Sequence, residues 1–97
     1  MKARDPKDIA KVLLKKGFCE ESSNHHKYYY LWVDGHKTTI FTYLSHGGKH
    51  DDYGKNLMGK IKRQLKFNDS KKADAFLDCT MNGNEYVQML KELDIAI

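Results

Sequence analysis

The spacing of the apolar residues changes along this chain, and each change marks a different kind of element. Near the start, apolar residues recur every three or four positions, at Ile9, Val12 and Leu13. Asp5-Pro6 before them is a helix-start signal, and Gly17 after them is a stop signal. We therefore expect an amphipathic helix over residues 6–16, followed by a short strand over residues 18–21.

The next segment is rich in aromatic and β-branched residues, in the runs KYYYLWV and KTTIFTYL on either side of Asp34-Gly35. This pattern predicts a β-hairpin with a tight turn. Alternation puts aliphatic residues on one side, namely Leu31, Val33, Ile40 and Leu44, and aromatic residues on the other, namely His26, Tyr28, Tyr30, Trp32, Phe41 and Tyr43. We expect the aliphatic side to be the core, which leaves an open aromatic face that is costly in water unless it has a partner.

Helical periodicity returns after residues 45–52, SHGGKHDD, which are a loop by composition. Asp51 or Asp52 is expected to cap a second helix that runs through Phe67 and packs by an apolar arc, formed by Leu57, Met58, Ile61 and Leu65. A third helix is expected from a cap at Asp69 or Ser70 through Asp78, and a fourth from about Asn84 to Leu93. The expected fold class is α+β, with a three-stranded antiparallel sheet and helices on one face.

Composition narrows the class of protein. A chain of 97 residues, 40% of them hydrophobic, suits a single domain over residues 1–97. No run of eighteen apolar residues occurs, so we expect no membrane span and a cytoplasmic location, where the two cysteines stay reduced.

The formal net charge of +4 is unevenly distributed. Residues 1–72 carry 16 Lys or Arg against 8 acids, a net +8, whereas residues 73–97 carry 1 against 5, a net −4. A basic body suits a polyanion such as RNA, although solvated surface charge explains the same numbers. If the acidic segment folds against the body, it could cover part of that charge or help to recruit a partner.

All five histidines lie between residues 25 and 50. Imidazole changes charge near neutral pH, and RNA supplies its own 2′-hydroxyl nucleophile, so a histidine among cations can cleave RNA without a metal. His25 or His26 would supply the histidine that this chemistry requires, and Lys27 and Lys37 would supply the cations. Two ordinary histidines at a strand edge are the alternative, and residue types alone favour it.

The sequence contains only weak signals of two other chemistries. His46 and His50 have the H-x3-H spacing of some zinc sites, with Asp51 and Asp52 as oxygen ligands, but they lie in a glycine-rich segment without the usual scaffold. The GGK of the same segment lacks the spacing of a nucleotide P-loop. We therefore expect neither a metal nor a cofactor.

Basic and aromatic residues also interleave as in proteins that bind nucleic acids. Aromatic faces stack on unpaired bases while lysines follow the phosphates, although core packing explains most aromatic runs. The candidate RNA-binding residues are Lys27, Lys37, Lys55, Lys62, Lys66, Tyr28 and Trp32.

Over residues 6–67 the chain resembles the HicA family of toxin–antitoxin mRNA interferases. The matching segments are Gly17-Phe18, Asn24-His25-His26-Lys27-Tyr28, Asp34-Gly35, Ser45-His46-Gly47 and Gln64-Leu65-Lys66. The resemblance implies an α-β-β-β-α core like that of a double-stranded RNA-binding domain, metal-independent cleavage of mRNA, and a HicB-type antitoxin as partner. The family glycine is replaced here by Ser22 and Ser23, and residues from Ser70 onward match nothing in the family core. The resemblance thus implies a HicA-like core over residues 1–68 and a C-terminal helical extension over residues 69–97.

The resemblance implies that one histidine of the strand-initiating pair is catalytic. Alignment to the His-His form of the family motif selects His26, and alignment to the Asn-His form selects His25. We prefer His26, because it shares the aromatic side of the strand and Lys27 would flank it. The predicted function is a toxin-type endoribonuclease. The alternatives are an RNA-binding module of the same fold without catalysis and a purely structural or partner-binding protein.

Overall fold

The structure is a computed structural model that describes residues 1–45 and 52–97. Its elements in chain order are α1 (Pro6–Lys15), β1 (Phe18–Ser22), β2 (His26–Val33), β3 (His36–Ser45), α2 (Lys55–Gln64), α3 (Ser70–Leu77) and α4 (Gly83–Glu92). The strands form one antiparallel sheet in the order β1-β2-β3. The expected α+β class, with a three-stranded antiparallel sheet, is confirmed. No helix within the described ranges is long and apolar enough to cross a membrane.

Local signals explain where the first elements begin and end. The Asp5 carboxylate accepts a hydrogen bond from the Lys7 amide at 2.8 Å, which caps α1, and Gly17 follows the helix with a φ of 98°. Asp34 and Gly35 both have positive φ, 51° and 78°, as a two-residue hairpin turn between twisted strands requires. The first helix and the hairpin are therefore where the sequence predicts them.

One face of the sheet lies under the helices. It carries Tyr29 and Leu31 of β2 with Ile40 and Leu44 of β3, all buried, as the alternation predicts. These residues belong to a single hydrophobic cluster to which all four helices contribute. The Tyr29 hydroxyl donates to Glu20 at the margin of this cluster, and burial is the main reason that the pKa of Tyr29 lies above its usual value.

The C-terminal segment completes the same core. Tyr86 of α4 packs on Phe76 of α3 with ring centroids 4.6 Å apart, and its hydroxyl donates to the Leu65 carbonyl at 2.7 Å. Buried Lys16 at the end of α1 donates to the carbonyls of Phe76 and Met81, and burial lowers the pKa of this lysine. The acidic segment therefore packs with the helices and shares the core of the first two-thirds of the chain.

The second helix is shorter than expected. It begins after Gly54, which has no side chain to cap it, so Asp52 is not the cap, and Asp51 lies outside the described residues. It ends at Gln64 because Lys66 adopts a φ of 70°, which lets the Phe67 amide donate to the Lys62 carbonyl at 3.0 Å and closes the helix. Leu57, expected to pack, is 47% exposed.

The other helices differ less from expectation. The Asp69 side chain caps α3, as predicted. Asn82 and Glu85 form a reciprocal capping box at the start of α4, a feature beyond the predicted start near Asn84. Ser45, expected in the loop, is the last residue of β3.

Candidate functional site

The face of the sheet opposite the helices carries an aromatic ladder formed by Tyr28, Tyr30, Phe41 and Tyr43. Tyr28 pairs with Tyr43 and Tyr30 with Phe41 across β2 and β3. Ring centroids are 5.6 Å apart in the first pair and 5.1 Å in the second, and 6.4 Å separates Tyr28 from Tyr30. All four residues are only half-buried, and none belongs to the core cluster. The described helices therefore leave a continuous aromatic surface uncovered.

His26 stands at one end of this ladder, as the first residue of β2. The preceding turn holds its backbone, because the Ser23 amide donates to the His26 carbonyl at 2.8 Å and the Ser23 hydroxyl accepts from the His26 amide at 3.2 Å. The imidazole lies edge-on to the Tyr43 ring, with centroids 4.8 Å apart and planes at 79°. His25 lies in the turn itself and is exposed. The strand thus fixes His26 on the ladder, and His25 precedes it.

A lysine from α2 reaches the same end of the ladder. Lys60 donates to the Tyr43 hydroxyl, and its ammonium lies 4.4 Å from the centroid of the Tyr43 ring. One tyrosine therefore contacts both an imidazole and a cation. We call His26, Tyr43 and Lys60 the His26 cluster.

Lys37 lies toward the other end of the ladder. Its ammonium sits over the Tyr30 ring, 4.0 Å from the centroid, and forms an ion pair with the Glu21 carboxylate of β1 at 2.7 Å. Hydrogen bonding to Glu21 is the main cause of a raised pKa at Lys37. Both side chains remain partly exposed, at 41% for Lys37 and 48% for Glu21.

Two further candidate RNA-binding residues, Trp32 and Lys27, do not lie beside His26 on the aromatic face. Trp32 pairs with Lys37 at the turn end of the hairpin and is 39% exposed. Lys27 has the opposite strand parity to His26 and lines a small cavity with Pro6 and Tyr29 on the helix side of the sheet. The expectation that Lys27 flanks His26 at one site is wrong, because adjacent residues of a strand point to opposite faces.

The basic residues predicted on the second helix form a separate surface. Lys55 and Lys62 line a groove between α2 and α3 together with Arg63, and the Lys62 ammonium donates to the Ser70 hydroxyl at 3.1 Å. Lys66 lies beyond the end of α2 and is exposed. At 3.6 residues per turn, Lys60 lies about 140° around the helix from Lys55. Lys55 and Lys62 therefore face away from the ladder, and Lys60 is the α2 lysine that contacts it.

The candidate site residues predicted from the sequence did not include Tyr43, Lys60 and Glu21, nor Tyr30 and Phe41 of the ladder. Alternation already put Tyr43 on the aromatic side, and the helical spacing separates Lys60 from the Lys55–Lys62 row. No sequence signal pairs Glu21 with Lys37, because that contact depends on the β1–β2–β3 register.

Residues 1–45 and 52–97 contain no group of three His, Cys, Asp or Glu side chains arranged to hold a metal ion. The suggested H-x3-H pair, His46 and His50, and its neighbour Asp51 lie outside the described residues.

Comparison with known proteins gives no further information about the site. No family model matches the chain, and no curated protein or solved structure shows significant similarity to it.

Proposed function

We propose that this protein is an endoribonuclease of the toxin type that cleaves RNA by histidine acid–base catalysis without a metal. The observation that carries the proposal is the His26 cluster, in which an imidazole and an ammonium contact one tyrosine at the end of an open aromatic surface. The resemblance to HicA mRNA interferases supports a catalytic histidine in the His25-His26 pair, and the contact of His26 with Tyr43 favours His26. It also supports the proposal that α1, the three strands and α2 form a core like that of a double-stranded RNA-binding domain.

The chemistry requires little more than this cluster. The RNA 2′-oxygen attacks phosphorus and the 5′-oxygen leaves, giving a 2′,3′-cyclic phosphate and a 5′-hydroxyl. One proton leaves the 2′-hydroxyl and one reaches the 5′-oxygen. His26 moves one of these protons at its imidazole, as general base or general acid.

Lys60 has a different role in the proposal. Negative charge accumulates on the non-bridging phosphate oxygens in the transition state, and an ammonium fixed beside them stabilises it. Tyr43 holds Lys60 through its hydroxyl and contacts His26 through its ring, so it is a positioning residue for both. Lys55, Lys62 and Lys66, on another surface, are proposed to contact only the RNA backbone at a distance from the cleaved bond.

The test is cleavage of end-labelled RNA in EDTA by the whole protein and by single alanine variants of three histidines. His26→Ala is expected to lower the rate about 10²- to 10⁴-fold, the usual contribution of a positioned acid or base. His25→Ala is expected to keep most of the activity. His36→Ala, at the far end of the hairpin, is the matched control. Intact RNA after incubation with the whole protein, or equal cleavage by His26→Ala, would show that the proposal is wrong.

A HicB-like antitoxin is the partner that the resemblance implies, and we propose it on that basis alone. Expression of the protein by itself should then arrest growth, and co-expression of the product of an adjacent HicB-like reading frame should restore it. Growth that continues unchanged when the folded protein accumulates would contradict a toxin.

One observation favours a second function, a non-catalytic RNA-binding module. The aromatic ladder and its flanking lysines suit base stacking and phosphate contact whether or not His26 transfers a proton. This alternative predicts salt-sensitive RNA binding, no cleavage, and no growth arrest.

A further inference from the structure

The aromatic ladder has cations at both ends and no carboxylate within it. Lys37 lies over Tyr30, and Lys60 lies over Tyr43. Large rings on the surface of a sheet stack on nucleic-acid bases, but only on bases whose faces are not already stacked in a duplex. The charges suit a phosphate chain running along the ladder.

The cation at the turn end, Lys37, already has an anionic partner in the unbound protein. Its ammonium is already held by the Glu21 carboxylate at 2.7 Å, and Glu21 reaches it from β1, across the width of β2. A carboxylate and a phosphate present similar anionic oxygens to an ammonium. A phosphate that binds Lys37 would therefore compete with the Glu21 carboxylate for the same ammonium.

We propose that the aromatic ladder holds unpaired RNA bases, and that Glu21 competes with an RNA phosphate for Lys37 and so weakens binding. The proposal rests on the proposed function, since it names the strandedness of the substrate and adds a control on the same surface. It does not require His26 to be catalytic.

The Lys37–Glu21 ion pair is exposed to solvent, and this exposure limits how much its loss changes RNA affinity. A solvent-exposed pair of this kind contributes little, so its loss is expected to change affinity only a few-fold. Breaking it by removing Glu21 leaves Lys37 over Tyr30 and available to a phosphate. Breaking it by removing Lys37 also removes the phosphate contact, so the two substitutions should act in opposite directions.

The test measures binding of fluorescent RNA in the His26→Ala background, so that cleavage does not interfere. Glu21→Gln is expected to bind a single-stranded oligonucleotide about two- to fivefold more tightly. Glu92→Gln, an exposed position on α4, makes the same change in net charge and serves as the matched control. In a Lys37→Ala background the gain from Glu21→Gln should fall to that of Glu92→Gln.

The strandedness is tested with the same probes. The single strand should bind more tightly than a duplex of the same sequence, and Tyr30→Leu should remove most of that preference. Equal effects of Glu21→Gln and Glu92→Gln, or a preference for the duplex, would overturn the inference. The inference would also be overturned if the protein formed a dimer that Tyr30→Leu dissociates without any change in RNA affinity. The ladder would then be a contact between copies of the chain.

Failure of this inference and failure of the proposed function give different results. If EDTA-resistant cleavage depends on His26 but the Glu21 and Tyr30 variants bind RNA normally, the proposed endoribonuclease is supported. The ladder is then not the surface that binds RNA. If the ladder variants behave as expected but no RNA is cut, the protein is an RNA-binding module and the proposal of an endoribonuclease is wrong.

Discussion

The two faces of the same three-stranded sheet differ in what covers them. The face with Tyr29 and Leu31 is closed by four helices and forms the single core. The face with Tyr28 and Tyr30 has aromatic residues at the alternate positions, yet these remain half-buried and contact one another. Stability therefore depends mainly on one face, and the side chains suited to binding lie on the other. The comparison predicts that substitutions on neighbouring residues of β2 have separable effects.

The largest expected effect comes from Leu31→Ala on the covered face. Leu31 is 1% exposed, and truncation there leaves a cavity that costs about 2–5 kcal/mol of the free energy of unfolding. Tyr30→Leu, one residue away on the open face, is expected to cost about 1 kcal/mol through the lost ring contacts, while weakening RNA binding. Chemical denaturation of both variants measures the difference. Similar losses of stability would mean that the open face is also structural.

Lys16→Met tests the attachment of the C-terminal helices to the covered face. It removes the ammonium that bonds the carbonyls of Phe76 and Met81, and leaving these groups without their donor is expected to cost about 1–3 kcal/mol. RNA affinity of the folded variant should not change, because Lys16 lies on the helix side. Denaturation and RNA titration together check this, and weaker binding at full folding would contradict the separation of the two faces.

Lys60→Met and Lys62→Met compare the two sides of α2. Lys60 contacts Tyr43, and its loss is expected to lower the cleavage rate at saturating RNA about 10- to 100-fold. Lys62 lies in the groove toward α3, so its loss should weaken RNA binding and its salt dependence without changing the saturated rate. Single-turnover kinetics separate the two outcomes. If instead Lys62→Met lowers the saturated rate and Lys60→Met only weakens binding, the reacting phosphate lies in the α2–α3 groove.

The smallest expected effect is the acid sensitivity of the helix layer. Hydrogen bonding to Arg4 is the main cause of the lowered pKa of Asp78, so this carboxylate stabilises the folded state above its unfolded pKa. That contribution is lost as the pH falls through the lower, folded value. Because Asp78 is largely exposed, the loss is expected to be below about 1 kcal/mol.

Thermal unfolding between neutral and acidic pH checks this for the whole protein and for Asp78→Asn. The variant should start less stable and converge with the parent chain at low pH. Parallel curves would mean that the Asp78 carboxylate contributes nothing to the acid sensitivity.

Much of the fold could be predicted from the sequence, because the ends of its elements depend on residues that are close together in the chain. Asp5-Pro6, Gly17 and Asp34-Gly35 each determine an end or a turn through a capping bond or a backbone angle, and strand alternation separates Leu31 from Tyr30. The end of α2 was mispredicted because Lys66, which is not a glycine, takes the left-handed conformation there.

The candidate site was predictable only in part. His26 and its aromatic neighbours follow from strand parity, whereas Lys27 was grouped with His26 by sequence adjacency and lies on the other face. Lys60 and Glu21 meet the ladder through tertiary packing and strand register, which are properties of three elements together. Spacing within one element does not reveal such contacts.

Photocrosslinking tests most directly the claim that the open face is the RNA-binding surface. The His26→Ala variant would be irradiated in complex with a single-stranded RNA that contains a photoreactive uridine, and the crosslinked residues identified by mass spectrometry. The account predicts crosslinks to the aromatic ladder, at Tyr28, Tyr30, Phe41 or Tyr43. Crosslinks confined to the α2–α3 groove, with none on the ladder, would contradict it.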